Sequence, residues 1–350
     1  MYKQQSLITW LILIGILSAY VIFSHTTDHV ATSLDEQKAR QERWVNGESE
    51  FFNPWQYRVL SPLLIQGGII AYESFSDGRN SEIPFIALHY IQVFVLFYCF
   101  LVLLRKIPIQ NPFLLFVGIT LICYHMANST FKSGLSIDTY FDVVFYLLAG
   151  IFVIKRKYFW IIPLSFIACL NRETSAFIPL MIFTPYIGKE TFKSKQRWIA
   201  FVCSGFAYAL AFLIPRIYFG LEPAKGIHGM TDPFDYLTFN LTYLRLYPLL
   251  IGTLSIIPLV VLLNLKKLKH PHLKTWFWLI VPIWLVIHFV KSNAVETRLF
   301  LVPQILIFVP SFLYLIDNWR MQKPKPKERS QQSGKKFEYV LKQELTGPVE

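Results

Sequence analysis

The sequence predicts an all-α, polytopic transmembrane helical bundle of about ten spans, with interfacial helices in its first outer loop. Three observations predict it. Long apolar runs recur from Leu7 to Ile316, and Lys and Arg crowd into alternate gaps between them. The composition is 54% hydrophobic, 17% aromatic and only 16% charged over 350 residues, with a mean hydropathy of +0.41. A soluble domain carries about a quarter charged residues, so the expected solvent is lipid. A net charge of +12 would suggest a nucleic-acid partner in a soluble protein. Here the excess sits in short loops and in the tail after Asn318, where it signals topology, and nucleic acid is set aside. Cys99, Cys123, Cys169 and Cys203 fall inside apolar runs without metal-ligand spacing, which suits core packing.

Leu7 to Phe23 follows a short N-terminus bearing Lys3. The run exceeds a usual signal-peptide core and no A-x-A site follows it, so a retained first span is expected. Later spans are expected over Pro84 to Leu104, Pro112 to His125, Thr139 to Ile154, Tyr158 to Leu170, Thr174 to Ile187, Trp198 to Pro215, Tyr247 to Leu265, Thr275 to Phe289 and Leu299 to Ile316. Val59 to Phe75 is apolar enough to cross, yet contains Pro62, Gln66, Gly67 and Gly68. If it lies along the outer interface, Arg105 and Lys106, Lys155 to Lys157, Lys189 to Arg197, Lys266 to Lys274 and the tail from Arg320 share the cytoplasmic side with both termini. A crossing would send several of these clusters to the other side. The chain then divides into a transmembrane unit over 1–317, whose outer loop covers 25–83, and a basic, disordered cytoplasmic tail over 318–350 suited to a lipid surface. A second outer loop runs from Arg216 to Leu246, and a bacterial inner membrane is the expected location.

Charges at membrane depth cost about 2.5 to 3.5 kcal/mol on insertion scales, so each invites a functional reading. Asp138 and Asp142 stand four residues apart and share one helix face. Asn171, Arg172 and Glu173 interrupt Tyr158 to Ile187, which predicts a hairpin whose tip sits in a water-filled cavity. The last outer loop adds Lys291, Glu296 and Arg298. Structural readings stand beside these: Asp138 as a helix cap, Arg172 and Glu173 as bundle-holding pairs, and the last three as interfacial charges. Convergence on one outer cavity favours the functional reading, with guanidinium groups for a phosphate or diphosphate and a carboxylate as general base.

In the first loop, Asp28 to Trp44 could form a helix lying on the membrane. The stretch Asn53-Pro54-Trp55-Gln56-Tyr57-Arg58-Val59-Leu60-Ser61-Pro62-Leu63-Leu64 then places Arg58 and Tyr57 among the aromatics Phe51, Phe52 and Trp55. Such a surface suits a headgroup boundary or sugar stacking, or is simply an aromatic belt. The eight histidines show no H-E-x-x-H pattern, and no P-loop, G-x-S-x-G or dinucleotide fingerprint appears. Asn128-Ser129-Thr130 and Asn240-Leu241-Thr242 match the N-glycosylation tripeptide.

This layout resembles the GT-C superfamily of polytopic glycosyltransferases, which take sugars from polyprenyl-phosphate or related lipid donors on the non-cytoplasmic face. The resemblance rests on Asp28 soon after the first span, the helix to Trp44, and the Tyr57-Arg58-Val59-Leu60-Ser61-Pro62-Leu63 stretch. Asp28-His29 stands where the superfamily has an acidic pair, and Tyr-Arg-Val-Leu where it has a paired proline. The resemblance implies that Asp28 deprotonates the acceptor hydroxyl, with Glu48 or Glu50 in its place under another register. It implies that Arg58, Arg172 and Arg298 bind the donor phosphate, and that the partners are membrane lipid, a polyprenyl-phosphate-linked sugar and a glycan or lipid acceptor. A divalent metal could assist phosphate departure, although nothing in the sequence demands one. Competing readings are a transporter or flippase of a lipid-linked or anionic solute, which predicts paired broken helices, and a membrane scaffold of an envelope assembly complex. A glycan polymerase or a histidine-based acyltransferase, with His89, His125 or His288, is a neighbouring enzyme reading.

Overall fold

The computed structural model describes residues 7–27, 34–48, 55–76, 82–130, 137–184, 194–221 and 233–322. Among these, every regular element is helical: α1 (Leu7–Thr26), α2 (Leu34–Val45), α3 (Leu60–Glu73), α4 (Ile83–Leu104), α5 (Pro112–Ala127), α6 (Ile137–Ile154), α7 (Tyr158–Asn171), α8 (Glu173–Phe183), α9 (Lys195–Phe219), α10 (Pro233–Thr242), α11 (Leu246–Leu254), α12 (Ile257–Leu263), α13 (Pro271–Lys291) and α14 (Thr297–Met321). The starts follow local chemistry. Proline opens α4, α5, α12 and α13, where its missing N–H costs nothing, and the Asn111 side chain caps α5 by accepting from Phe113 N at 3.1 Å. Gly220, at φ 85°, ends α9 in a conformation that glycine adopts freely.

Six helices are long and apolar enough to cross a membrane: α1, α4, α6, α9, α13 and α14; α11 and α12, bent by 83° at a short break, make a seventh if they form one broken span. Length and composition therefore license six or seven crossings where the sequence suggests ten. The difference is α5, α7 and α8, apolar helices of 10–17 residues that coincide with three of the expected spans. Helix α3 occupies the ambiguous Val59 to Phe75 segment. Its 14 residues extend about 21 Å, short of a hydrocarbon core of about 30 Å. It buries Ser61 and Ile65 against the bundle and leaves Leu63, Leu64 and Ile70 outward.

The interior is built on α6 and α14, whose apolar windows are 78% and 83% buried, against 28% for the peripheral α1 and α9. Trp276, Trp284, Tyr140, Tyr146, Phe97 and Phe100 are the bulk of this core. Gly150 on α6 leaves room for the Trp276 ring, which a Cβ would approach to 3.1 Å. A π-helical stretch, Gln304–Phe308, turns Gln304 inward within α14, where its amide donates to the Leu254 carbonyl at 3.0 Å, just before the break.

The two ends of the bundle differ in charge. Arg105 lies over the Trp10 ring, Arg197 over Tyr158, and Gln110 N donates to Asp317 at 2.6 Å, so these loops gather at one end. Lys106, Lys155, Arg156, Lys157, Lys266 and Lys267 follow or precede the same helix termini and join them. The first turn of α6, the last residues of α7 and α9, and the turn into α14 meet at the opposite end. This separation of basic loops from the mixed cluster agrees with the sequence reading. In a Cys203→Ser background, Lys106→Cys and Lys267→Cys are expected to label with a membrane-impermeant maleimide from one side and Glu48→Cys from the other; labelling of all three from one side would contradict the separation.

Candidate functional site

The opposite end of the bundle carries a cluster of charges drawn from five segments. A 3-10 turn, Trp55–Tyr57, delivers Arg58 just before α3. The first turn of α6 supplies Asp138 and Thr139, and one turn further Asp142. The α7 helix ends at Asn171, Arg172 is extended (φ −155°, ψ 144°), and α8 starts at Glu173. The chain reverses there: Asn171 Nδ2 donates to the Asp138 carbonyl at 2.7 Å, Thr174 Oγ1 donates to Asp142 at 2.7 Å, and Tyr146 OH donates to the Thr174 carbonyl at 2.6 Å. At the far end of α8, Thr184 accepts from Trp276 Nε1, beside Gly150. The sequence-expected hairpin is therefore present, with Arg172 and Glu173 at its tip.

Arg58 is the hub. Its guanidinium donates to Asp138 Oδ2 at 2.7 Å and to Glu173 Oε2 at 3.4 Å. Glu173 Oε1 takes Arg216 Nη2 from the last turns of α9 at 3.3 Å, and Tyr208 OH donates to the Glu173 carbonyl. Arg172, 5% exposed, donates to Thr139 Oγ1 at 3.0 Å and stands 3.9 Å from Asp138. Arg298 pairs with Glu296 at 2.9 Å, and its field reaches Asp138. Aromatic rings back the cations: Arg40 and Arg58 lie over Trp55, and Arg216 over Tyr57 and Phe212. Tyr57 OH donates to the Gly220 carbonyl at 2.7 Å, which pins the loop to the end of α9. Burial works against the Arg58 charge, but Glu173 and Asp138 outweigh it and hold its pKa above the ordinary value, so the guanidinium stays protonated at any biological pH.

A partly open cleft lies beside this cluster, lined by Gln37, Arg40 and Gln41 of α2, Trp55 and Arg58 of the turn, Ser61, Pro62 and Ile65 of α3, and Ile137 and Asp138 of α6. Its walls divide into a charged half and an apolar half. Gln41 holds α2 to α3 by donating to the Pro62 carbonyl and to Gln66 Oε1. The arrangement can take an anionic group at Arg40 and Arg58, with a carboxylate at hand and an apolar surface alongside.

Of the expected site residues, the structure brings together Tyr57, Arg58, Asp138, Asp142, Arg172 and Glu173, with Glu296 and Arg298 at the margin. Asp138 does not serve only as a cap, since its carboxylate goes to Arg58. Glu48 is exposed beyond α2 and does not line the cleft; Lys291 is exposed at the end of α13, outside the ion-paired cluster. Asp28, Glu50, Asn53, Pro54 and the tail from Lys323 lie outside the described residues. Sequence reasoning missed Arg216, Tyr208, Thr139, Thr174 and Arg40. The signal for Arg216 was a charge directly after the last apolar run before a loop; the hydroxyls carried none. Cys203 is exposed on α9, while the other three cysteines are buried as expected. Asn240, read as a glycosylation tripeptide, is fully buried, and its amide ties α10 to the Phe289 and Ser292 carbonyls and to Ala294 N.

The three candidate acyltransferase histidines are buried and do not line the cleft. His89 bonds His25 and Gln92, His125 bonds the Thr253 carbonyl and Gln304, and His288 bonds the Trp284 carbonyl. Among the described residues, no three His, Cys, Asp or Glu side chains converge as a metal site. No protein-family model, curated protein or solved structure matches the chain.

Arg58→Met and Asp138→Leu are each expected to destabilise the protein by up to about 3–5 kcal/mol, because each removes the shortest ion pair of a buried cluster and leaves Asp138 with Arg172 at 3.9 Å or Arg58 with Glu173 at 3.4 Å. The double variant is expected to recover most of that loss, read from thermal unfolding in detergent as a double-mutant cycle.

Proposed function

We propose that this chain is an integral membrane glycosyltransferase that moves a sugar from a polyprenyl-phosphate-type lipid donor to a lipid-linked or glycan acceptor. The observation that carries the reading is the divided cleft: Arg40, Arg58 and Asp138 on one wall, Pro62, Ile65 and Ile137 on the other, next to the outward apolar face of α3. An amphiphilic phosphate needs such a boundary. Arg58 already divides its donors between two carboxylates, and a phosphate arriving in the cleft exchanges for one of them at little desolvation cost. In this reading the acceptor hydroxyl gives its proton to a carboxylate and attacks the anomeric carbon. The bond to the phosphate oxygen breaks, and Arg58, Arg172 and Arg216 stabilise the charge that develops on the leaving group. The GT-C resemblance assigns the proton to Asp28. That residue belongs to the short connection between α1 and α2, and α2 lines the cleft.

The same reading orients the molecule. Counting α5, α7, α8 and the α11–α12 pair as crossings gives ten spans, with α3 at the outer interface, both termini and the basic loops cytoplasmic, and the cleft on the non-cytoplasmic face of a bacterial inner membrane.

A transporter of a lipid-linked or anionic solute is the second reading, and the 83° break between α11 and α12 favours it. The carbonyls nearest that break are already engaged, Thr253 by His125 and Leu254 by Gln304, which leaves them closed to a solute.

The test is incubation of the purified full chain with polyprenyl-phosphate-linked hexoses and pentoses, scoring release of polyprenyl phosphate. Arg58→Lys keeps the charge but loses the two-pronged donor, and is expected to lower turnover by roughly 100-fold or more. Movement of the donor across proteoliposomes without a covalent product would establish the transporter instead.

A further inference from the structure

At the basic end of the bundle, where α6 ends and α7, α9 and α13 begin, cations converge without counter-charges among the described residues. Arg197 lies over the Tyr158 ring, with its Nη1 buried and without a hydrogen-bond partner. His272 Nδ1, in the first turn of α13, is likewise buried and unpartnered, and its ring lies 5.5 Å from Trp276. The fields of Arg197, Arg156 and His270 all act on His272. Among the described residues, neither Arg156 nor Arg197 is ion-paired, unlike Arg58, Arg172, Arg216 and Arg298 at the other end.

Arg156 adds an independent observation. It follows α6 at φ 56°, with Lys157 N bonded to the Phe152 carbonyl and Arg156 N to the Val153 carbonyl. This pattern closes a helix through a left-handed residue that is usually glycine. An arginine there is strained, and its side chain is exposed. Strain retained at one residue, beside two unsatisfied buried nitrogens, marks a place built for something else. Around it, Phe159, Trp160 and Trp198 are exposed apolar rings at the ends of their helices, where acyl chains and headgroups meet.

We propose that Arg156, Arg197 and His272 form a binding site for the phosphodiester headgroup of an anionic membrane lipid, with Tyr158 and Trp276 as its walls. The site is separate from the cleft, and its existence does not depend on the glycosyltransferase reading. Two guanidinium groups, with the His272 imidazole donating in its Nδ1–H tautomer, match the non-bridging and ester oxygens of a phosphodiester, and basic pockets between spans are where anionic headgroups are held.

The test is native mass spectrometry of the full chain in detergent with dioleoylphosphatidylglycerol and dioleoylphosphatidylcholine. Wild type is expected to retain the glycerol lipid preferentially. Arg156→Gly combined with Arg197→Gln is expected to reduce that preference by roughly tenfold or more. Arg156→Gly alone is expected to weaken retention while leaving Tm unchanged or higher, because glycine adopts the conformation freely. A control variant, Lys106→Gln with Lys267→Gln, is expected to retain the preference. Equal retention of both lipids by wild type, or an equal loss in the control, would overturn the proposal. So would millimolar inorganic phosphate that displaces the lipid and raises Tm by the same amount, which would make this a site for free phosphate.

Discussion

Arg58 and Asp138 form a charge pair at the edge of an apolar bundle, and the site at that end depends on keeping the pair closed. Neither partner can be buried alone without a penalty of several kcal/mol, so the segments that deliver them must arrive together. Tyr57 fastens the Arg58 turn to the end of α9, and Asn171 fastens the α7–α8 tip to the start of α6. Glu173 links Arg216 to the same hub. The pair is thus part of a linked chain, in which each carboxylate but Asp142 has an arginine and each hairpin turn is held by a side-chain amide or hydroxyl. Such a network specifies one arrangement of its segments, since a shifted register would orphan several charges at once.

The bundle and half of this network were legible in the sequence because both rest on local rules. Apolar runs set the helices, and the four-residue spacing of Asp138 and Asp142 set a shared face. Asn171-Arg172-Glu173 could only be a break in an otherwise apolar stretch. What stayed hidden depends on contacts distant in sequence. Arg216 looked like a loop residue because it follows its span, and only the approach of α9 to α7 places it against Glu173. Asn240 carries a tripeptide pattern whose literal reading is a surface modification, while its fully buried amide serves as a clamp between α10 and the end of α13. For the crossings, hydropathy registers α5, α7 and α8 as apolar runs, and the structure gives them as helices of 10–17 residues beside six or seven longer candidates.

The two ends solve the charge problem in opposite ways. At one, carboxylates and guanidiniums neutralise each other and the cleft opens beside them. At the other, neither Arg156 nor Arg197 is ion-paired among the described residues, and Asp317 accepts from the Gln110 backbone. A basic end of this kind attracts anionic headgroups and concentrates lipid phosphate around it.

The bend between α11 and α12 has a mechanical consequence for the surrounding lipid. Limbs of nine and seven residues that meet at 83° reach only about 20 Å from end to end, whatever their tilt. Their outward residues, Ile251, Ile256, Leu259 and Leu263, are apolar and give water no foothold. Where the pair crosses as one broken span, the hydrophobic belt on that flank is shorter than a relaxed bilayer, and the membrane thins to meet it at a cost of fractions of a kcal/mol per Å. Such a span draws the lipid in beside the bend and leaves it at full depth beside α1 and α9, so that thin membrane and the shortest path across it lie on the same side.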